Sequence, residues 1–156
     1  RTCRHAIPHM KRRGGGSIVN ISSIHGLRGW PHFAAYATSK AGIIGLTRQI
    51  AVDFAQDDIR ANVVSPGQVV IPGKYERHLL LEPALMDDPG GSIPKLAESL
   101  PPLTPSGEKP RLYRAALPEE IASVALFFAS DDAAQVTGQN LVVDGGASAR
   151  GLANTL

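Results

Sequence analysis

The sequence predicts an α/β fold in which a parallel sheet is covered by helices on both faces. Three observations support this prediction. Short runs rich in β-branched residues alternate with segments of helical periodicity. Glycine or proline separates most of these runs. Hydrophobic residues make up 43% of the 156 residues, which is enough for an ordinary core in a single domain.

The first half of the chain predicts a helix, a strand, a loop and a second helix. Residues 1–13 are interpreted as the end of a helix, because a basic run precedes the helix-breaking Gly14-Gly15-Gly16. Residues 17–21 follow as a buried strand and residues 22–32 as a loop. Helical periodicity returns over residues 33–56, where small residues indicate close contact with another backbone.

The second half predicts two further strands and one further helix around a long irregular segment. Residues 59–64 form the second strand, and most prolines of the chain fall in residues 72–112. We interpret this segment as a substrate loop or lid within the single domain, with one or two short helices. A helix begins at Pro118 with an amphipathic stripe, and residues 140–143 form the third strand.

Composition and charge exclude several classes of function. The 16 lysines and arginines exceed the 14 acidic residues by too little to predict a nucleic acid or a membrane surface as partner. The only cysteine, Cys3, excludes an internal disulfide. No metal site is predicted, because His5 and His9 lack a third ligand. The start of the chain does not resemble a signal peptide, so we expect a cytoplasmic protein.

Ser23, Tyr36 and Lys40 are the candidate catalytic residues. Tyr36 and Lys40 are four residues apart in a predicted helix, so their side chains share one face. A free phenol titrates near roughly pH 10 and is a poor base, but a nearby cation shifts a phenol toward efficient proton transfer. Ser23 follows the first strand, where a loop can bring its hydroxyl to the same substrate oxygen. A Tyr-x-x-x-Lys pair by itself is more often solvated helix surface.

Two histidines border the loop that carries Ser23. His25 and His32 could touch a substrate there, but a plain loop histidine is the more common case.

Five segments together resemble the short-chain dehydrogenases/reductases in family order and spacing. They are GSIVNISS at 16–23, YATSKAG at 36–42, IRANVVSPG at 59–67, PEEIA at 118–122 and TGQNLVVDGG at 137–146. The resemblance implies the C-terminal part of a doubly wound, Rossmann-like parallel-sheet domain. It also implies an oxidoreductase that uses NAD or NADP to interconvert a small-molecule alcohol and a carbonyl by hydride transfer.

The resemblance implies a role for each candidate residue. Tyr36 would exchange a proton with the substrate and also contact the cofactor. Lys40 would hold the nicotinamide ribose, and Ser23 would hydrogen-bond the substrate oxygen. Residues that would line the nicotinamide pocket are Pro66, Gly67 and Val69. The resemblance also implies a homodimer paired through the helix at 33–56, or a homotetramer with a second interface at the C-terminal strand and the helix at 118–130.

The chain departs from the family pattern in two places. Ile71 stands where the family often has a threonine whose hydroxyl can meet the cofactor. The glycine-rich strand–turn–helix that cradles a pyrophosphate has no counterpart, since Gly14-Gly15-Gly16 leads into a strand. We therefore interpret the chain as the C-terminal portion of such an enzyme and expect residues 1–156 alone to be inactive. The alternative is a non-catalytic remnant that serves only as an association surface.

Overall fold

A computed structural model describes residues 1–69 and 115–149 of the chain. Within these residues the helices and strands alternate as predicted. They are α1 Thr2–Arg13, β1 Gly16–Ile21, α2 Ala34–Asp53, β2 Ile59–Pro66, α3 Pro118–Ala129 and β3 Asn140–Val143. The loop or lid predicted at 72–112 lies outside the described residues, as does Ile71. No helix in the described part of the chain is long and apolar enough to cross a membrane.

The three strands form one parallel sheet in the order β1-β2-β3. Ile18 of β1 lies opposite Ala61 of β2, and Val63 of β2 lies opposite Asn140 of β3. Because all strands run in the same direction, their carboxyl ends meet at one edge of the sheet. The predicted parallel α/β architecture is therefore confirmed.

Helices cover both faces of the sheet. On one face, residues of α1 and α2 such as Ile7 and Ile50 pack against Ile18 of β1. On the other face, Phe128 of α3 packs against Val64 of β2. Successive strand residues point to opposite faces, so both faces need an apolar side chain along β2. The predicted two-sided covering is confirmed.

The strand β1 is less buried than predicted. Only Ile18 of its six residues is buried, whereas 44% of Ile21 is exposed. Among the described strands β1 pairs only with β2, while the central β2 has a neighbour on each side and is buried at seven of its eight positions. The sequence of a strand shows that its residues are apolar, but it does not show how many other strands pair with it.

The glycine run between α1 and β1 forms a helix-to-strand turn. Gly14 ends α1 in the left-handed conformation with φ 85°, and Gly15 has φ 135°. A Cβ on Gly15 would lie 2.8 Å from the carbonyl oxygen of Asp58, so only glycine fits there. This turn lies at the amino end of β1, opposite the edge where the strands end.

A buried asparagine joins β2 to the segment that leads into β3. The Asn62 side chain is fully buried, and its Nδ2 donates to the carbonyl of Val136 at 2.6 Å. Its Oδ1 accepts from the backbone N–H of Gln139 at 3.0 Å. Ser65 donates to Oδ1 of Asn140 at 2.6 Å. These bonds hold the amino end of β3 and the segment before it against β2.

Candidate active site

The predicted site residues lie at the carboxyl edge of the sheet. Ser23 follows β1, Gly67 follows β2, and Tyr36 and Lys40 stand on the first two turns of α2. In open α/β sheets, ligands bind at this edge. The topology therefore brings residues that are far apart in sequence to one end of the fold.

Ser23 is held at the start of a short 3-10 helix, Ile24–Gly26. Its Oγ accepts a hydrogen bond of 3.2 Å from the backbone N–H of His25, and 7% of the residue is exposed. Accepting this bond does not use the hydroxyl proton of Ser23. Within the described residues, that proton is available to a substrate oxygen.

The predicted shared face of Tyr36 and Lys40 is confirmed. The ammonium of Lys40 lies 5.6 Å from the centroid of the Tyr36 ring. The same Nζ donates to the carbonyl oxygen of Ile21, the last residue of β1, at 3.2 Å. Tyr36 is 44% exposed, so its ring can meet a ligand. Lys40 thus joins the helix that carries the phenol to the strand that leads to Ser23.

Two further contacts press the Ser23 segment against α2 at Lys40. The buried Ser22 donates from Oγ to the carbonyl oxygen of Lys40 at 2.7 Å. A Cβ on Gly26 would lie 2.8 Å from the carbonyl carbon of Lys40, so the short helix lies directly on the α2 backbone. Sequence reasoning missed both Ser22 and Gly26, because nothing in the loop pattern distinguishes Gly26 from Gly29.

Aromatic side chains surround Tyr36. His25 stacks on Trp30, with 4.3 Å between ring centroids. The His25 ring meets Tyr36 edge-on at 5.4 Å, and Phe33 lies 6.2 Å from Tyr36. Burial lowers the pKa of His25 below its ordinary value, which favours the neutral form of its ring. The other loop histidine, His32, is exposed.

The predicted nicotinamide-pocket residues follow one another at the end of β2. Pro66 is the last residue of the strand, and the N–H of Gly67 donates to the carbonyl of Val143 at 3.0 Å. A Cβ on Gly67 would lie 2.6 Å from Cβ of Asp144, so a larger residue does not fit. Val69 forms a parallel bridge with Ala116. Val69 and Ala116, which are far apart in sequence, therefore lie side by side beside this edge.

Asp144 organises the turn that follows β3. Its Oδ1 accepts from the N–H of Gly146 at 2.9 Å, and its Oδ2 accepts from the N–H of Ser148 at 2.7 Å. Burial by itself raises the pKa of Asp144, but the bonds from Ser148 and Gly146 and the charge of Arg28 outweigh it and lower the pKa. The sequence indicated Asp144 only as the end of a strand.

Replacement of Asp144 by asparagine is expected to lower the free energy of unfolding at pH 7 by about 1–3 kcal/mol, because bonds to a charged acceptor are lost. Since folding lowers the pKa of Asp144, its charge stabilises the folded state above about pH 4. That stabilisation is lost as the pH falls through the pKa that Asp144 has in the folded state. Urea unfolding at pH 7 and about pH 3 measures the effect, with Asp132→Asn as an exposed control. An equal difference between wild type and Asp144→Asn at both pH values contradicts the prediction.

Comparison with known proteins agrees with this architecture. The family model described as short chain dehydrogenase matches residues 1–76, and the model described as enoyl-(acyl carrier protein) reductase matches residues 102–148. The 3beta-hydroxysteroid dehydrogenase 1 of Eggerthella lenta is 39% identical over 145 residues, which are 92% of this chain and 48% of that protein. The D-beta-hydroxybutyrate dehydrogenase of Rhizobium meliloti is 36% identical, over 96% of this chain and 54% of that protein.

A solved structure has the same fold. The gluconate 5-dehydrogenase of Burkholderia cenocepacia, in complex with NADP and tartrate, superposes with a TM-score of 0.70 at 30% identity. The match covers 96% of this chain and 51% of that protein. The chain thus spans about half the length of the curated relatives that it matches. The two consecutive family matches and the parallel sheet together show that the chain belongs to the short-chain dehydrogenase/reductase family.

Proposed function

We propose that this chain carries the substrate side of an NAD(P)-dependent oxidoreductase that interconverts an alcohol and a carbonyl. The observation that carries the proposal is the pairing of the Tyr36 ring with the Lys40 ammonium at 5.6 Å, at the sheet edge where Ser23 also lies. The two relatives and the solved structure described above bear the names of dehydrogenases for hydroxylated substrates, which supports the same class of reaction.

Tyr36 is the proposed acid and base. In the oxidative direction Tyr36 acts as the phenolate: it takes the proton of the substrate hydroxyl while the carbon–oxygen double bond forms and the substrate C–H bond breaks with loss of a hydride. In the reductive direction the phenol returns that proton to the substrate oxygen as the carbon gains a hydride. The Lys40 ammonium stabilises negative charge as it develops on the phenol oxygen. Ser23 donates its hydroxyl proton to the substrate oxygen and orients it. A bound nicotinamide supplies or accepts the hydride.

The described residues fit the nicotinamide end of a dinucleotide. Lys40 uses one of its three N–H donors on Ile21, which leaves two for ribose hydroxyls within the described residues. Gly67 brings backbone close to the same edge, because no side chain fits beside Asp144. The glycine turn at Gly14 lies at the opposite edge and leads into a strand, so it does not suit the pyrophosphate. We infer that Pro66, Gly67 and Val69 line the nicotinamide pocket.

A turnover assay tests the proposed reaction. The natural gene product that carries this chain is incubated with NAD⁺ or NADP⁺ and with a 3-hydroxysteroid, D-3-hydroxybutyrate or gluconate, and formation of NADH or NADPH is followed. We expect turnover with at least one secondary alcohol, and none from residues 1–156 by themselves. A natural gene product that neither binds NADH or NADPH nor oxidises any of these alcohols supports the association-surface alternative instead.

We also propose that subunits pair through α2, with β3 and α3 at a second interface. Apolar side chains are exposed on both helices: Val52 on α2 is 75% exposed and Leu126 on α3 is 71% exposed. Burial of such surface stabilises an association. Size-exclusion chromatography with light scattering on the natural gene product is expected to show a dimer or a tetramer. A monomer at micromolar concentration contradicts this proposal.

A further inference from the structure

The position of the Tyr36 ring depends on neighbouring rings. Among the described residues, no hydrogen bond holds its hydroxyl, and the ring stands in the first turn of α2 with 44% of the residue exposed. Its aromatic neighbours are His25, edge-on with an interplanar angle of 81°, and Phe33, with an angle of 70°. Edge-to-face contacts of this kind are attractive and directional. They therefore select one orientation of an otherwise loosely held side chain.

The His25 ring is itself firmly placed. It stacks almost parallel on Trp30, with an interplanar angle of 11°, and meets Phe33 edge-on at 4.9 Å. The buried Nδ1 of His25 has no hydrogen-bond partner among the described residues, so aromatic packing holds the ring in place. At the same time, the backbone N–H of His25 bonds the Ser23 hydroxyl oxygen. One residue thus contacts both the proposed hydrogen-bond donor and the proposed acid/base.

We propose that His25 is a positioning residue, whose ring holds the Tyr36 ring in its place beside Lys40 while its main chain orients Ser23. The proposal rests on the proposed function of Tyr36. The His25 ring acts only through its packing against the Tyr36 ring, and its nitrogens take no part in the proton transfer. A ring without nitrogens can therefore replace it, whereas a side chain without a ring cannot.

Two substitutions at one position test this role. His25→Ala is expected to lower kcat by about 10-fold or more, because small displacements of a reacting group are costly. The KM for the dinucleotide should stay within about 3-fold, since the contact concerns Tyr36 and not the cofactor. His25→Phe keeps an aromatic edge and is expected to restore kcat to within about 3-fold of wild type.

Another histidine of the same loop provides the control. His32→Asn changes an exposed loop histidine whose φ of 67° asparagine tolerates, and it should leave kcat unchanged. If His25→Phe is as slow as His25→Ala, an imidazole nitrogen is needed and the proposal is wrong. Unchanged kcat in His25→Ala also overturns it. Failure of the proposed function itself would show separately, as unchanged turnover in Tyr36→Phe.

Discussion

Tyr36→Phe is expected to lower kcat by at least about 100-fold, the scale of general acid–base catalysis. The substitution removes only the phenol oxygen. The phenylalanine ring can still meet His25 edge-on and lie near the Lys40 ammonium, so the aromatic surroundings stay intact. Steady-state kinetics on the natural gene product, with any alcohol that it oxidises, measures the effect.

Dinucleotide binding distinguishes the two members of the pair. Tyr36→Phe should retain binding of NADH or NADPH better than Lys40→Ala, because Lys40 contributes the N–H donors that suit ribose hydroxyls. Lys40→Ala also removes the bond from Nζ to the carbonyl of Ile21. Isothermal titration of both variants measures this order. Near-native turnover in Tyr36→Phe would show that Tyr36 is not the acid/base.

Gly26→Ala is expected to lower kcat by about 10- to 100-fold and to destabilise the fold by about 1–3 kcal/mol. The added methyl group would lie 2.8 Å from the Lys40 carbonyl carbon and 3.0 Å from the Ala41 nitrogen. Both neighbours are helix backbone and cannot rotate away. The short helix must therefore move off α2, and Ser23, which begins that helix, moves with it.

Gly29→Ala is the matched control for this substitution. Gly29 lies in the same loop, and a Cβ on it would meet nothing within 4 Å. The kcat and the urea unfolding midpoint of Gly29→Ala should match those of the wild type, whereas both quantities should fall in Gly26→Ala. If Gly26→Ala and Gly29→Ala have the same kcat and the same urea midpoint, the contact between Gly26 and α2 does not position Ser23.

The sequence by itself determined the order of helices and strands and the residue types of the candidate site. Helical spacing alone placed Tyr36 and Lys40 on one face, because residues four apart are neighbours on any α-helix. Likewise, the apolar stripe of α3 predicted which side of that helix packs on the sheet, where Phe128 is buried. Such local patterns need no knowledge of the rest of the fold. The family resemblance then connected Ser23 with the pair, although 13 positions separate it from Tyr36.

Only the tertiary structure decided which residues hold the site together. Gly26 and Gly29 are equivalent in the sequence pattern, and they differ because α2 passes directly over one of them. The sequence left open whether His25 touches a substrate or is a plain loop histidine, and the fold places its ring between Trp30 and Tyr36. Ile21 remained half exposed because a strand is buried by its neighbours and not by its own composition. Contacts between distant segments depend on how the elements pack, and a local pattern carries no information about that packing.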